Sequence, residues 1–427
     1  MINSYVKRII FNVVVYLLTF YSLSFNCFYL QNNPRKVAEY TRKNLEYYSR
    51  TTTPKPDPSV PKAIVYYRYD NGENELRSII DNLIYDLESK TCLKFSKKTD
   101  KNDKDVSLVL GWLTNTFTTN SDSNNNKVNA VFYEECRNIP GCIKSQVLYA
   151  FGMVPPHKRS DRDSYITVDK KNVSEKCKAD YLLDKLGDQY KHLEVGGYDF
   201  GSVGHMKRYF CHKDKQPPIS AKIEVYNDMM GRDDGLSFND HKFINTHYCK
   251  SEECEDTVSK QCQHDGYKDP NNCKKCLCPN GFEGDFCERL KASDEDCKGP
   301  RRYGMENAYN ISLRGKVNCY YHFETTDWFN IEFNIKRIKT STHVICTENT
   351  GFELKLQKDI GATGLCLCNE HTNIVVKSQS NYAYLFFNGQ EDFYIDVEYR
   401  RVYDNDSVNN YYKQHSNPFN LRIKNNF

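Results

Sequence analysis

Apolar and polar positions alternate differently in different parts of the chain. The run Ala63-Ile64-Val65-Tyr66-Tyr67 is β-branched and aromatic and predicts a strand. From Glu75 to Glu88 the apolar residues are Leu76, Ile79, Ile80, Leu83, Ile84 and Leu87. That spacing puts them on one face of a helix. Val106 to Trp112 reads as a buried strand, and another is predicted through Val128 to Tyr133. Between them, 114–126 is a Thr/Asn/Ser tract with the composition of a surface loop. From about Cys297 to Val402 the pattern becomes alternating, as in Val317-Asn318-Cys319-Tyr320-Tyr321-His322-Phe323 and Tyr382-Ala383-Tyr384-Leu385-Phe386-Phe387. Two-residue periodicity of this kind predicts a β-sandwich.

The ends carry no such pattern. Residues 31–60 are basic and polar, finish in Thr-Pro-Lys-Pro-Asp-Pro, and read as a linker or prosegment. The stretch 404–427 is polar and Asn-rich and is expected to be a mobile tail. Lys7 and Arg8 precede an apolar run from Ile9 to Phe25, so residues 1–30 address the chain to the secretory pathway. The run suits a cleaved signal peptide, and it is also long enough to serve as an uncleaved anchor. Secretion is the expected localisation, with a type II membrane anchor as the alternative. A membrane partner is expected only if that segment is retained.

The 427 residues carry 59 basic and 56 acidic side chains, a net charge of +3, which gives no reason to expect nucleic acid as a partner. Twelve of the 18 cysteines fall between Cys249 and Cys368. Crowding of that kind is typical of extracellular modules too small to be held by a core alone. A cytosolic zinc protein, the competing reading, would need regular CxxC pairs, and Cys273 and Cys276 form a single one. Sequons at Asn172, Asn310 and Asn405 are candidate glycosylation sites in that compartment.

Four strings in order resemble the astacin family of zinc metalloendopeptidases. They are Glu75–Asp81 with Ser89–Phe95, Arg159-Ser160-Asp161-Arg162-Asp163-Ser164-Tyr165, Tyr198-Asp199-Phe200-Gly201-Ser202-Val203, and Gly235–Asp240 running to Tyr248-Cys249. The resemblance implies an α+β fold class. An astacin-type, metzincin-like protease domain would occupy 61–249, followed by a small disulfide-rich EGF-like module at 250–290 and a β-sandwich CUB-like domain at 297–403, as in the nematode arrangement.

In this family a helix carries H-E-x-x-H-x-x-G-x-x-H. Its histidines hold zinc, and its glutamate takes the proton from a zinc-bound water. Counting back from Arg159 places that motif on 145–155. Ser145 then stands at the first histidine, Gln146 at the glutamate, Tyr149 at the second histidine and Pro155 at the third, while Gly152 is kept. At the following turn Gly204 stands at the methionine position and Met206 at the tyrosine position, leaving His205. None of the three histidine positions retains an imidazole, no HExxH occurs elsewhere, and no two of the 11 histidines lie four apart. His157, His205 and His212 are the one other histidine set to weigh. Ser145 has no acid–histidine pair at a recognisable spacing, so it is not read as a nucleophile. Tyr149 and Phe151 read as core packing, and Arg159, Asp161, Arg162 and Asp163 as a structural ion-pair turn.

The catalytic constellation is therefore degenerate, with no catalytic residue intact, no metal ligand and no cofactor expected. Active relatives carry zinc. The expected function is that of a pseudoprotease that binds an extracellular protein or peptide. The alternative is an active zinc metalloendopeptidase. The resemblance also implies the disulfides Cys92–Cys249, Cys254–Cys273, Cys262–Cys276, Cys278–Cys287, Cys297–Cys319 and Cys346–Cys366, leaving Cys368 unpaired. Cys136–Cys142 and Cys177–Cys211 complete the expected set.

Overall fold

The computed structural model describes residues 64–100, 103, 105–112, 128–132, 136–177, 183–249 and 261–404. The expected signal or anchor, the linker, the 114–126 tract, the tail, the Asn405 sequon and Cys254 lie outside those residues. The chain divides into two compact units: 1–194 with 206–222, and 195–205 with 223–427.

In the first unit, strands β1 (Ile64–Tyr69), β2 (Lys94–Lys97), β3 (Leu108–Trp112) and β4 (Val128–Phe132) form a parallel sheet in the order β2-β1-β3-β4. Every residue of β3 is buried, as expected of a parallel strand covered on both faces. Helix α1 (Glu73–Lys90) buries Leu76, Ile80, Leu83 and Leu87, the inner part of the predicted stripe. Each contributes roughly 1.5–3 kcal/mol over exposure, far more than local propensity supplies. Helix α2 (Pro140–Ala150) follows. Short strands β5 (Ile166–Val168) and β6 (Ile219–Ala221) pair antiparallel, and disulfides join Cys136 to Cys142 and Cys177 to Cys211.

The second unit contains helix α3 (Phe238–Tyr248), started by a capping box in which the Ser237 side chain accepts from the Asp240 amide and the Asp240 side chain accepts from the Ser237 amide. Cys249 caps its end and is disulfide-bonded, as is Cys92 in the first unit. A cysteine-rich stretch carries two small ladders, β7 (Tyr267–Lys268) with β8 (Cys276–Leu277) and β9 (Phe282–Glu283) with β10 (Arg289–Leu290). It is stapled by Cys262–Cys276 and Cys278–Cys287.

Beyond it lie β11 (Arg301–Tyr303), β12 (Tyr309–Arg314), β13 (Asn318–Glu324), β14 (Phe329–Lys339), β15 (Phe352–Lys355), β16 (Leu365–Cys366), β17 (Glu370–Lys377), β18 (Tyr382–Asn388) and β19 (Tyr394–Tyr403). They form two sheets, ordered β11-β13-β18-β15-β16 and β12-β19-β14-β17. The sheets meet through Phe323 of β13 against Phe333 of β14 and Tyr399 of β19. Cys297 bonds to Cys319.

One cysteine pairing is corrected. Cys346 is bonded to Cys368, and Cys366 is the buried free thiol among the described residues. Both candidates have the same parity along the chain, so alternation does not choose between them. Cys366 is held inside the ladder opposite Glu353, whereas Cys368 lies past the strand end, where its amide already meets the Cys346 sulfur at 3.1 Å.

The second unit is joined internally by buried contacts. Phe282 packs with Tyr320, Ile360, Tyr384 and Phe386, and a side chain at Gly281 (φ +85°) would run into the Phe386 ring. Glu353 and Lys355 form a buried ion pair at 2.9 Å; Glu353 also accepts from Asn280 and the Gly364 amide, and Lys355 donates to the Ala362 carbonyl. The loop 357–363 lies against 196–201. Gln357 donates to the Tyr198 carbonyl (2.9 Å), Asp359 accepts from the Gly197 amide, and the Thr363 amide donates to Asp199 (3.3 Å).

Candidate functional site

Helix α2 begins with Pro140 at its first position, where the missing N–H costs nothing and the fixed φ suits the helix. Its buried face is Gly141, Ile143, Ser145, Val147, Leu148 and Ala150. Ser145 and Tyr149, four residues apart, share one side of the helix. The Ser145 hydroxyl donates to the Cys142 carbonyl at 2.8 Å, so its proton is committed to the helix backbone. Gln146 and Tyr149 are half-buried.

The helix ends where the glycine is kept. Gly152 adopts φ +88°, its amide donates to the Tyr149 carbonyl, and the Met153 amide donates to that of Leu148 at 3.0 Å. These paired bonds are a Schellman closure, which a residue with a Cβ would strain. The chain then runs through buried Pro155 into the short turn Pro156–Lys158. His157 is buried within that turn and its Nδ1 accepts from the Met206 amide at 3.3 Å. That bond leaves the ring proton on Nε2.

The next turn is built from charge. Arg159 forks onto Asp161 with two bonds of 2.9 Å. Ser160 gives both its amide (2.6 Å) and its hydroxyl (2.9 Å) to Glu194. Arg162 donates to the His157 and Leu183 carbonyls. Burial pushes the Lys158 ammonium down to about 8, with Asp184 opposing. The Arg159–Asp163 string is thus a structural ion-pair turn. Glu194, its anchor, lies more than thirty residues away in sequence, with no local pattern to announce it.

The segment 195–205 belongs to the second unit. Tyr198 is fully buried and its hydroxyl meets His205 Nε2 at 2.8 Å. Phe200 stacks on His205 and on Tyr226. Ser202 donates to Asp240 at 2.6 Å, the Val203 amide donates to the other Asp240 oxygen, and the Gly204 amide donates to the Ser202 hydroxyl. Gly204 is buried and offers no side chain. His212, in the first unit, has Nδ1 2.7 Å from the Tyr209 carbonyl.

A zinc site needs neutral imidazoles, thiolates or carboxylates converging tetrahedrally. The positions 145, 149 and 155 offer a hydroxyl already bonded to backbone, a phenol and a proline. Among the described residues no three His, Cys, Asp or Glu side chains are grouped to hold a metal. The residues at the motif do not fit the ion.

Residues 54–249 match the family model Astacin, which describes a family of peptidases. Zinc metalloproteinase nas-27 of Caenorhabditis elegans is 27% identical over 293 residues, covering 61% of this chain and 66% of that protein. Zinc metalloproteinase dpy-31 of Caenorhabditis elegans is 35% identical over 153 residues, covering 35% of this chain and 25% of the relative. High choriolytic enzyme 1, a hatching enzyme zinc-protease of Oryzias latipes, is a distant structural likeness at 20% identity and a TM-score of 0.35, covering 44% of this chain and 92% of that one. The chain spans about two thirds or less of the length of these curated relatives.

Proposed function

We propose that this chain, which belongs to the astacin family of peptidases through residues 54–249, is a catalytically silent member that works as a secreted binding protein. The observation that carries the reading is the chemistry of the motif positions. Ser145 turns its hydroxyl into its own helix, Tyr149 and Pro155 supply no imidazole, and Gln146 has no basic oxygen with which to take a proton from water. The scaffold around them is retained: the helix, the Gly152 closure, the Arg159–Asp163 turn and the capped α3. An inherited protease scaffold without its metal suits capture of an extracellular protein or peptide. The EGF-like reading of 250–290 and the CUB-like reading of 297–403 add non-catalytic modules to it. The runner-up, an active zinc endopeptidase, has family membership and the relatives' names in its favour.

Elemental analysis of the purified full chain decides between them. The expected content is far below one zinc per chain, with no peptide hydrolysis above a buffer control. Near one zinc per chain, together with hydrolysis abolished by a chelator, would sink the silent reading.

The secretory reading has its own test. Asn310 sits exposed on the edge strand β12, whereas the Asn172 amide is half-buried and donates to the Pro217 carbonyl at 3.1 Å. Expression in a glycosylating cell should therefore give a mobility shift on glycosidase treatment that Asn310→Gln abolishes or reduces and Asn172→Gln leaves unchanged. A shift lost with Asn172→Gln alone would contradict the geometry.

A further inference from the structure

Two exposed turns of the first unit lie side by side and are rich in lysine. One, Lys170–Asn172, follows β5; the other, 207–216, precedes β6. They are joined by the Cys177–Cys211 disulfide, by a bridge between Val173 and His212, and by backbone bonds from Lys213 to Asn172 (2.6 Å) and from Ser174 to Cys211 (2.9 Å). The second turn is bent by left-handed residues at Cys211, Asp214 and Lys215. The platform is thus fixed by covalent and backbone links at its centre.

Residues 207–216 hold Lys207, Arg208, Lys213 and Lys215 against the single acid Asp214. Lys171, His212, Lys213 and Lys215 are exposed, and Lys222 is exposed just past β6. Nearby lysines are neutralised: Lys170 pairs with Asp184 at 2.6 Å and Lys185 with Asp163 at 2.7 Å. Lys171, Lys213 and Lys215 form no ion pair among the described residues. Of the acids alongside, Asp169 accepts from the Lys171 amide, and Glu175 and Asp214 remain as partial counterweights. Tyr209 is exposed in the middle of the second turn, with the Arg208 guanidinium 5.2 Å from its ring centre and His212 edge-on at 5.9 Å.

We propose that this platform binds a sulfated polysaccharide. Lysine is a compact point charge on a flexible stem. It suits diffuse attraction to a linear polyanion better than the fixed, bidentate recognition for which arginine is used. Protein interfaces are depleted in lysine and need a buried aromatic or arginine core, whereas here one exposed aromatic ring, Tyr209, stands among dispersed cations. A sugar ring has an apolar face that can lie on Tyr209 while its sulfates reach the lysines. The half-buried Asn172 side chain agrees with this, because a glycan there would cover the platform.

The test is heparin-affinity chromatography of the full chain, with a sulfopropyl column as the control for simple cation exchange. The chain should elute at higher salt from heparin than from the sulfopropyl matrix, and dextran sulfate should displace it where unsulfated dextran does not. The triple variant Lys171→Glu, Lys213→Glu, Lys215→Glu should elute early, with the salt slope of binding reduced by about 1 per lysine. A Lys→Arg triple at the same positions should keep most of the retention, and a Lys→Gln triple should lose it. Far-UV circular dichroism and non-reducing mobility establish that each variant is folded. Folded Glu and Gln triples that elute with the parent would overturn the proposal. So would displacement by anionic phospholipid vesicles but not by dextran sulfate, which would point to a membrane surface instead.

Discussion

Replacing Arg232 with alanine is expected to lower the unfolding free energy of the second unit by about 3–5 kcal/mol. The guanidinium is buried. It forks onto Glu348 at 2.8 and 2.9 Å and also donates to Asp234 at 2.6 Å and to the Gly201 carbonyl at 3.4 Å. Burial opposes its charge, and Glu348 and Asp234 outweigh that opposition. Removing the arginine leaves two carboxylates together with no cation between them. For a unit of this size the melting temperature should fall by about 6–20 °C. The pair Arg232→Met with Glu348→Leu should recover most of the loss, since an apolar pair of similar volume carries no desolvation cost. Calorimetry of the three proteins is the measurement. An alanine variant within about 1 kcal/mol of the parent would mean that the pair behaves like an exposed one.

Asparagine at position 199 is expected to act in the opposite direction at neutral pH. Asp199 is fully enclosed, and one of its oxygens accepts from the Gly201 and Thr363 amides while the other meets no donor among the described residues. Its pKa is raised to about 6: burial does most of this and the Asp240 and Glu348 charges add to it, while Ser237 and Thr363 oppose it. Arg232 bonds Glu348 and Asp234, so its charge is shared with those two carboxylates. The folded carboxyl therefore holds its proton where the unfolded one, near 3.8, has lost it. Stability from this group is complete below about pH 4. It declines as pH rises and is gone above about pH 6, a change of roughly 3 kcal/mol for a two-unit shift. Asp199→Asn should flatten that part of the pH–stability curve and raise the pH 7 melting temperature. A variant whose curve keeps the parent's slope between pH 4 and 6 would show that another group is responsible.

Much of the architecture is legible from periodicity. The stripe Leu76, Ile80, Leu83, Leu87 marks α1, and the alternation in 317–323 and 382–387 marks β13 and β18, because one face of each element is buried and the other is not. Ser145 and Tyr149 lie one turn apart on α2, where the count back from Arg159 puts them. Alternation misleads at β15. Strict alternation would turn Glu353 and Lys355 to solvent, yet all four residues of that strand are buried. The cysteine-rich stretch supplies Asn280 to Glu353, and the loop before β16 supplies the Ala362 carbonyl and the Gly364 amide, so the outer face is covered and the charges pair with each other. Asp199, Arg232 and Glu348 are hidden for the same reason: a polar residue in a loop looks solvated until its partner, over a hundred residues away, is placed. The Cys346 partner fails differently, since Cys366 and Cys368 differ only in where a two-residue strand stops.

The contacts between 196–201 and 357–363 have a consequence for the order of events on the ribosome. Residues that meet in them are separated by 159 to 164 positions. At about 5–20 residues per second, the second partner emerges roughly 10–30 s after the first. Throughout that interval Tyr198 and Phe200, both buried in the finished protein, belong to a stretch that cannot yet close. Nascent chains stalled before residue 357 should therefore be held by chaperones, and release should follow completion of the two sheets β11–β19 rather than of residues 64–249.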